Sequence, residues 1–109
     1  KPIAVPTSVK RVVGYQYLVL LSFPREEDAK DLVKYLAQNG VPATAEKALP
    51  EYAKTWTSVV TARGFEHTKK NPAFDAYSAA LKDLLLKYAG DSKFRKTFKL
   101  DVYTWRTAR

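Results

Sequence analysis

The sequence predicts an α+β domain of order β-α-β-β-α-β, a four-stranded antiparallel sheet with two helices on one face. Three stretches carry that reading. Tyr15 to Asp31 (YQYLVLLSFPREEDAKD) passes directly from an aromatic, β-branched and aliphatic run into an acidic helix start led by proline. Thr55 to Arg63 (TWTSVVTAR) is rich in β-branched and aromatic residues and closes at Gly64. Phe74, Tyr77, Leu81, Leu84, Leu85 and Tyr88 recur at helical spacing along one wide stripe.

With 109 residues and 46% hydrophobic content, the chain is long enough to hold a single core without staples. It contains no cysteine, which excludes disulfides and thiolate chemistry and leaves the compartment open. Nineteen Lys and Arg against eleven Asp and Glu give a net charge of +8, a balance suited to an anionic partner such as nucleic acid, anionic lipid or an acidic wall polymer. No apolar run approaches the roughly 20 residues that span a bilayer. The chain opens at Lys1 without Met or a signal sequence, and is expected to be a piece of a longer protein.

In chain order, Lys1 to Gly14 carries Pro2, Pro6, Thr7-Ser8 and Lys10-Arg11 and reads as a linker, with the domain over residues 15–109. The first strand is expected over Tyr15 to Phe23. Pro24 lacks the N–H a ladder needs and its fixed φ suits the first helical position, with Glu26, Glu27 and Asp28 complementing the helix N-terminus. The helix is then expected from Pro24 to Asn39, burying Ala29, Leu32, Val33 and Leu36 and ending at Gly40. Val41-Pro42 forces extended backbone. Ala43 to Leu49, with Glu46 and Lys47, fits an edge strand whose charges discourage further pairing. Pro50 to Lys54 forms a turn before the third strand, and Glu66 to Lys70 a polar loop after it. Asn71-Pro72 is a helix start, Asn as N-cap and Pro first in the helix, for a segment of about 27 Å ending at Gly90. Asp91 to Lys96 is a basic connector, and Lys99 to Arg106 alternates as the last strand.

Two helices with single apolar stripes cover one face of such a sheet, so the other face is open unless the N-terminal linker or a dimer mate covers it. If Leu18 and Leu20 face the helices, Tyr15, Tyr17, Val19 and Leu21 face away, joined by Asp101, Tyr103 and Trp105. That face is expected to be aromatic and to carry function. For Thr55 to Arg63 the alternation leaves the faces unassigned.

The pattern YLVLLSFPREEDAKDLVKYLAQNGVPATAEK, followed by a strand ending VVTARGF, resembles the SPOR (sporulation-related repeat) domain, with most similarity to divergent SPOR-like domains of planctomycete-type bacteria. The carrying features are Ser22-Phe23 closing the first strand, Ala29 early in the first helix and Gly64-Phe65 after the third strand, over about Tyr15 to Trp105. The resemblance implies a ferredoxin-like element order and a noncatalytic module of the bacterial envelope or periplasm. Such a module binds denuded peptidoglycan glycan strands through the open sheet face, within a longer division or envelope protein. On this reading the glycan-binding residues are Tyr15, Tyr17, Val19, Leu21, Ser22, Phe23, Tyr103 and Trp105, with rings stacking on the C–H faces of sugars. The family often places Gln before the Ser-aromatic pair. Here that position is Leu21, which removes a polar handle.

Other classes fit less well. RNA-recognition motifs share the element order and basic balance, but their basic-Gly-aromatic triplet opens the third strand, whereas Arg63-Gly64-Phe65 ends it. An enzyme is not expected: His67 is the lone histidine, and no metal spacing, Gly-rich phosphate loop or activated nucleophile appears, so no cofactor is implied. The standing alternative is a protein-interaction domain using the aromatic face, or the strand Ala43 to Leu49 for β-augmentation. Dimerisation through the exposed rings is also open.

Overall fold

The computed structural model describes residues 11–49, 52, 54–89 and 100–105. The elements are β1 (Gln16–Phe23), α1 (Glu26–Gln38), β2 (Ala43–Lys47), β3 (Thr57–Thr61), α2 (Pro72–Ala89) and β4 (Asp101–Thr104). The strands form one sheet of order β2-β3-β1-β4 with every neighbouring pair antiparallel. The expected α+β class and element order therefore hold, with β1 central and β2 at an edge. The basic connector Asp91 to Lys96 and the helix stop at Gly90 lie outside the described residues.

One core cluster joins Leu18, Leu20, Phe23, Ala43 and Val59 of the strands to Ala29, Leu32, Val33 and Leu36 of α1 and Leu81 and Leu85 of α2. Both helices thus lie on the side of the sheet that holds Leu18 and Leu20. The stripe spacing read from the sequence is the buried one in α1. In α2 its outer members, Tyr88 among them, reach solvent.

The helix ends follow local chemistry. α1 starts at Glu26 rather than Pro24, because Arg25 keeps extended dihedrals of φ −107° and ψ 127° as N-cap. It has no side-chain cap, and three acidic residues in the first turn oppose the helix dipole instead. At the other end Gly40 adopts φ 79°, its N–H donating to the Ala37 carbonyl while that of Val41 reaches back to Leu36. This is the paired closure that favours glycine just past a helix. Asn71 caps α2 as expected, its Oδ1 accepting from the Phe74 N–H at 3.2 Å, with Pro72 first in the helix.

The alternation of β1 breaks once. Val19 pairs with Val60 but Leu21 with Val59, so β1 carries one extra residue, a bulge, at Leu20. From there the faces exchange. Leu21 stands opposite Val59 and packs against the helix-side core, as does Phe23, while Ser22 turns to the far side and shares a 2.7 Å hydrogen bond with Ser58. Of Leu21 and Phe23, expected on a glycan-facing surface, Phe23 is a core residue and Leu21 packs half-buried against the same helix-side core. The polar position at the end of β1 is Ser22.

Gly64 is required by a close approach. A Cβ there would fall on Cζ and Cε2 of the Tyr17 ring. Gly64→Ala is therefore expected to cost about 1–3 kcal/mol by overpacking. In a Tyr17→Leu background the loss shrinks, because the clashing ring is gone. Urea unfolding of the two single variants and the double variant measures both terms.

Candidate functional site

The far side of the sheet follows from β1 alternation: Tyr17 and Val19 point there, Tyr103 lies directly opposite Tyr17, and Val60 and Trp105 complete the layer. This surface is not open. The segment after β2 lays Leu49 and Tyr52 over it, and Tyr17, Val19, Tyr103 and Trp105 are only 3–5% exposed. The rings meet edge to face, Tyr17–Trp105 at 5.9 Å, Tyr103–Trp105 at 6.0 Å and Tyr52–Tyr103 at 6.2 Å between centroids. The Tyr52 hydroxyl donates to Asp101 Oδ2 at 3.0 Å. Tyr15 packs half-buried at the rim. Among the described residues, the expected aromatic binding face is a second small core in which Tyr17, Tyr103 and Trp105 are buried and Tyr15 and Tyr52 half-buried.

Arg11 closes that core. Its side chain is 2% exposed and its Nη2 donates to Thr44 Oγ1 at 2.7 Å, the Thr61 carbonyl at 3.0 Å and the Val60 carbonyl at 3.1 Å. Nη1 lies 3.5 Å from Glu46, and the guanidinium carbon sits 4.8 Å from the Trp105 centroid and 5.5 Å from that of Tyr17. Burial pushes the Arg11 pKa down and the Glu46 charge pushes it back up, with burial the larger effect. Next to it the Val12 N–H donates to the Tyr17 hydroxyl at 2.8 Å, and a turn with Gly14 at φ 92° returns the chain to β1. Gly14 and Tyr15 bond the Trp105 backbone. Arg11 to Gly14, expected as linker, is a strap fixed on the sheet. The sequence offered only the Lys10-Arg11 step as a signal, and nothing in it marks one arginine as buried.

A second place is open to solvent. Gln16 and Phe65 exchange both backbone hydrogen bonds, at 2.7 and 2.8 Å, which ties the loop after β3 to the start of β1. Phe65 is buried edge-on against Phe74 at 5.2 Å and beside Tyr77 at 5.6 Å. At the far end of the loop Asn71 Nδ2 donates to the His67 carbonyl at 2.8 Å, and Lys70 takes φ 52°. Held at both ends, the loop encloses a cavity of about 300 Å³ lined by Gly14, Gln16, Glu66, His67, Thr68 and Lys69. An amide, a carboxylate, an imidazole, a hydroxyl and an ammonium supply donors and acceptors in one small volume. None of these residues was among the expected site residues, since the cavity joins positions some 50 residues apart.

No protein family, no curated protein and no solved structure matches the chain. Among the described residues, no three metal-ligating side chains gather, and no helix is long and apolar enough to cross a membrane.

Removing Arg11 takes the cation from beside Glu46 and uncovers the ring layer, so Arg11→Ala is expected to cost about 2–4 kcal/mol, below the full value for a buried pair because Glu46 is partly solvated and keeps the Thr44 hydroxyl. Trp105 emission should shift to the red, whereas Trp56, already 41% exposed, should not change. Tyr77 gives the opposite case: its hydroxyl is buried with no hydrogen-bond partner among the described residues, and burial raises its pKa. Tyr77→Phe keeps the ring and removes the unpaired group, so a gain of about 1 kcal/mol is expected in thermal or urea unfolding.

Proposed function

We propose that this chain is a noncatalytic, SPOR-like glycan-binding module of a bacterial envelope or periplasmic protein, and that its ligand is peptidoglycan glycan stripped of stem peptides. The observation that supports the reading is the solvent-open cavity between Gly14, Gln16 and Glu66 to Lys69, whose lining mixes polar and apolar surface. A sugar ring offers many hydroxyls, and is held in shallow pockets by mixed donors and acceptors on rigid backbone. The pairing of Gln16 with Phe65 and the Asn71 cap give that rigidity. The net charge of +8 draws the domain to anionic wall polymer before contact is made. The ring layer then serves the fold, and the ligand contacts move to the end of the sheet. RNA binding of the open-sheet kind is disfavoured by the same burial, because bases need exposed rings to stack on.

The test is a pull-down on purified sacculi before and after amidase treatment, at two salt concentrations. Binding should rise after amidase and survive salt. Gln16→Ala combined with Lys69→Ala should weaken it about tenfold, the scale of one or two lost hydrogen bonds, while exposed Val13→Ala leaves it unchanged. A folded protein that binds neither material overturns the reading in favour of an envelope protein partner.

A further inference from the structure

Arg63 follows β3 and sits over two rings inclined at 55° to each other, its guanidinium carbon 4.8 Å from the Phe65 centroid and 5.0 Å from that of Tyr77. Both rings are themselves fixed, Phe65 by burial and by Phe74, Tyr77 by its place on α2. Arg63 is nevertheless exposed, and among the described residues its guanidinium forms no ion pair and donates no hydrogen bond. The contrast with the other arginines is informative. Arg11 spends its donors on three acceptors and a carboxylate, and Arg25 pairs with Glu27 at 2.8 Å. Among the described arginines, Arg63 alone combines a guanidinium held against two rings with unspent N–H groups.

A guanidinium stacked by its face keeps its edge for a planar, two-oxygen acceptor, and its rotamer freedom is already reduced by the rings, so little more is lost on binding. We propose that Arg63 binds a carboxylate of the ligand, and that the preferred ligand is an acidic amino-sugar polymer rather than a neutral one. This rests on the glycan reading above, and it adds the charge that a cavity of hydroxyl-matching groups does not select for. Wall glycan fits the chemistry, because removing a stem peptide frees the ether-linked acid of every second sugar. Arg63 also belongs to the segment that leads through Phe65 into Glu66, His67, Thr68 and Lys69, so one anchored loop carries both the anion contact and the sugar cavity. Lys69 is the competing cation, and the two differ in kind: a fixed plane against a flexible point charge.

The experiment titrates the 109-residue chain, labelled with nitrogen-15, with N-acetylmuramate, its methyl ester, N-acetylglucosamine and inorganic phosphate, reading the Arg63 Nε–Hε signal. A saturable shift with the acid, absent with the two neutral sugars and weaker with phosphate, is expected. Arg63→Lys should lose at least about fivefold in affinity and Lys69→Ala much less. Equal shifts with acid and ester, no shift at all, or full retention of affinity in Arg63→Lys overturns the proposal. In a second arm, denuded glycan is compared before and after chemical reduction of its carboxyl groups. Undiminished binding to reduced glycan overturns the role of Arg63 and leaves glycan binding standing. Binding to neither glycan overturns the glycan reading, and the muramate titration then decides Arg63 by itself.

Discussion

The buried guanidinium of Arg11 is the constraint on which the rest of this arrangement depends. Taking such an ion out of water costs several kcal/mol, repaid only where geometry is good and its donors are met. Here the Thr44 hydroxyl, the Val60 and Thr61 carbonyls and the Glu46 carboxylate meet them, and Trp105 and Tyr17 cover the face of the plane. Those partners come from β2, β3, β1 and the end of β4. One side chain therefore ties the strap to all four strands and turns an open two-layer sheet into one with a layer on each side.

The local rules were legible where a single residue type has a single mechanical meaning. Asn71-Pro72 starts α2 and Gly40 ends α1, because a side-chain cap, a fixed φ and a left-handed residue each act within one turn. The order of elements along the chain and the edge position of β2 followed from composition and charge. The bulge at Leu20 was not legible. In YLVLLSF the residues around it are apolar, so either register buries hydrophobic side chains and period-two counting carries straight through the extra residue. That slip reversed Leu21, Ser22 and Phe23, and with them the apparent loss of a polar group at the end of the strand.

Arg11 and the cavity were hidden for a related reason. Both are made by contacts far apart in sequence, Arg11 with Thr44 and Thr61, Gln16 with Phe65. Arg63-Gly64-Phe65 was visible as a triplet but not as a division of labour. In the fold Gly64 leaves room for the Tyr17 ring, Phe65 anchors the loop to α2 and Arg63 lies across the anchored rings. Neighbours in sequence serve the far-side core, the helix-side core and the surface in turn.

Magnitudes decide whether the ring layer can also serve as a binding face. For a sugar to stack on Tyr17 or Trp105, the strap must leave, uncovering the Thr61 and Val60 carbonyls and separating Arg11 from Glu46. Breaking this partly solvated pair costs about 2–4 kcal/mol, whereas ring stacking contributes roughly 0.5–1.5 kcal/mol per contact. Two or three stacked sugars would do little better than break even before the cost of immobilising them is counted. The rings gain more from Arg11 and from one another than a sugar can return. The proposed glycan contacts along the loop from Arg63 to Lys69 carry no such cost, because they leave the strap and its bonds in place.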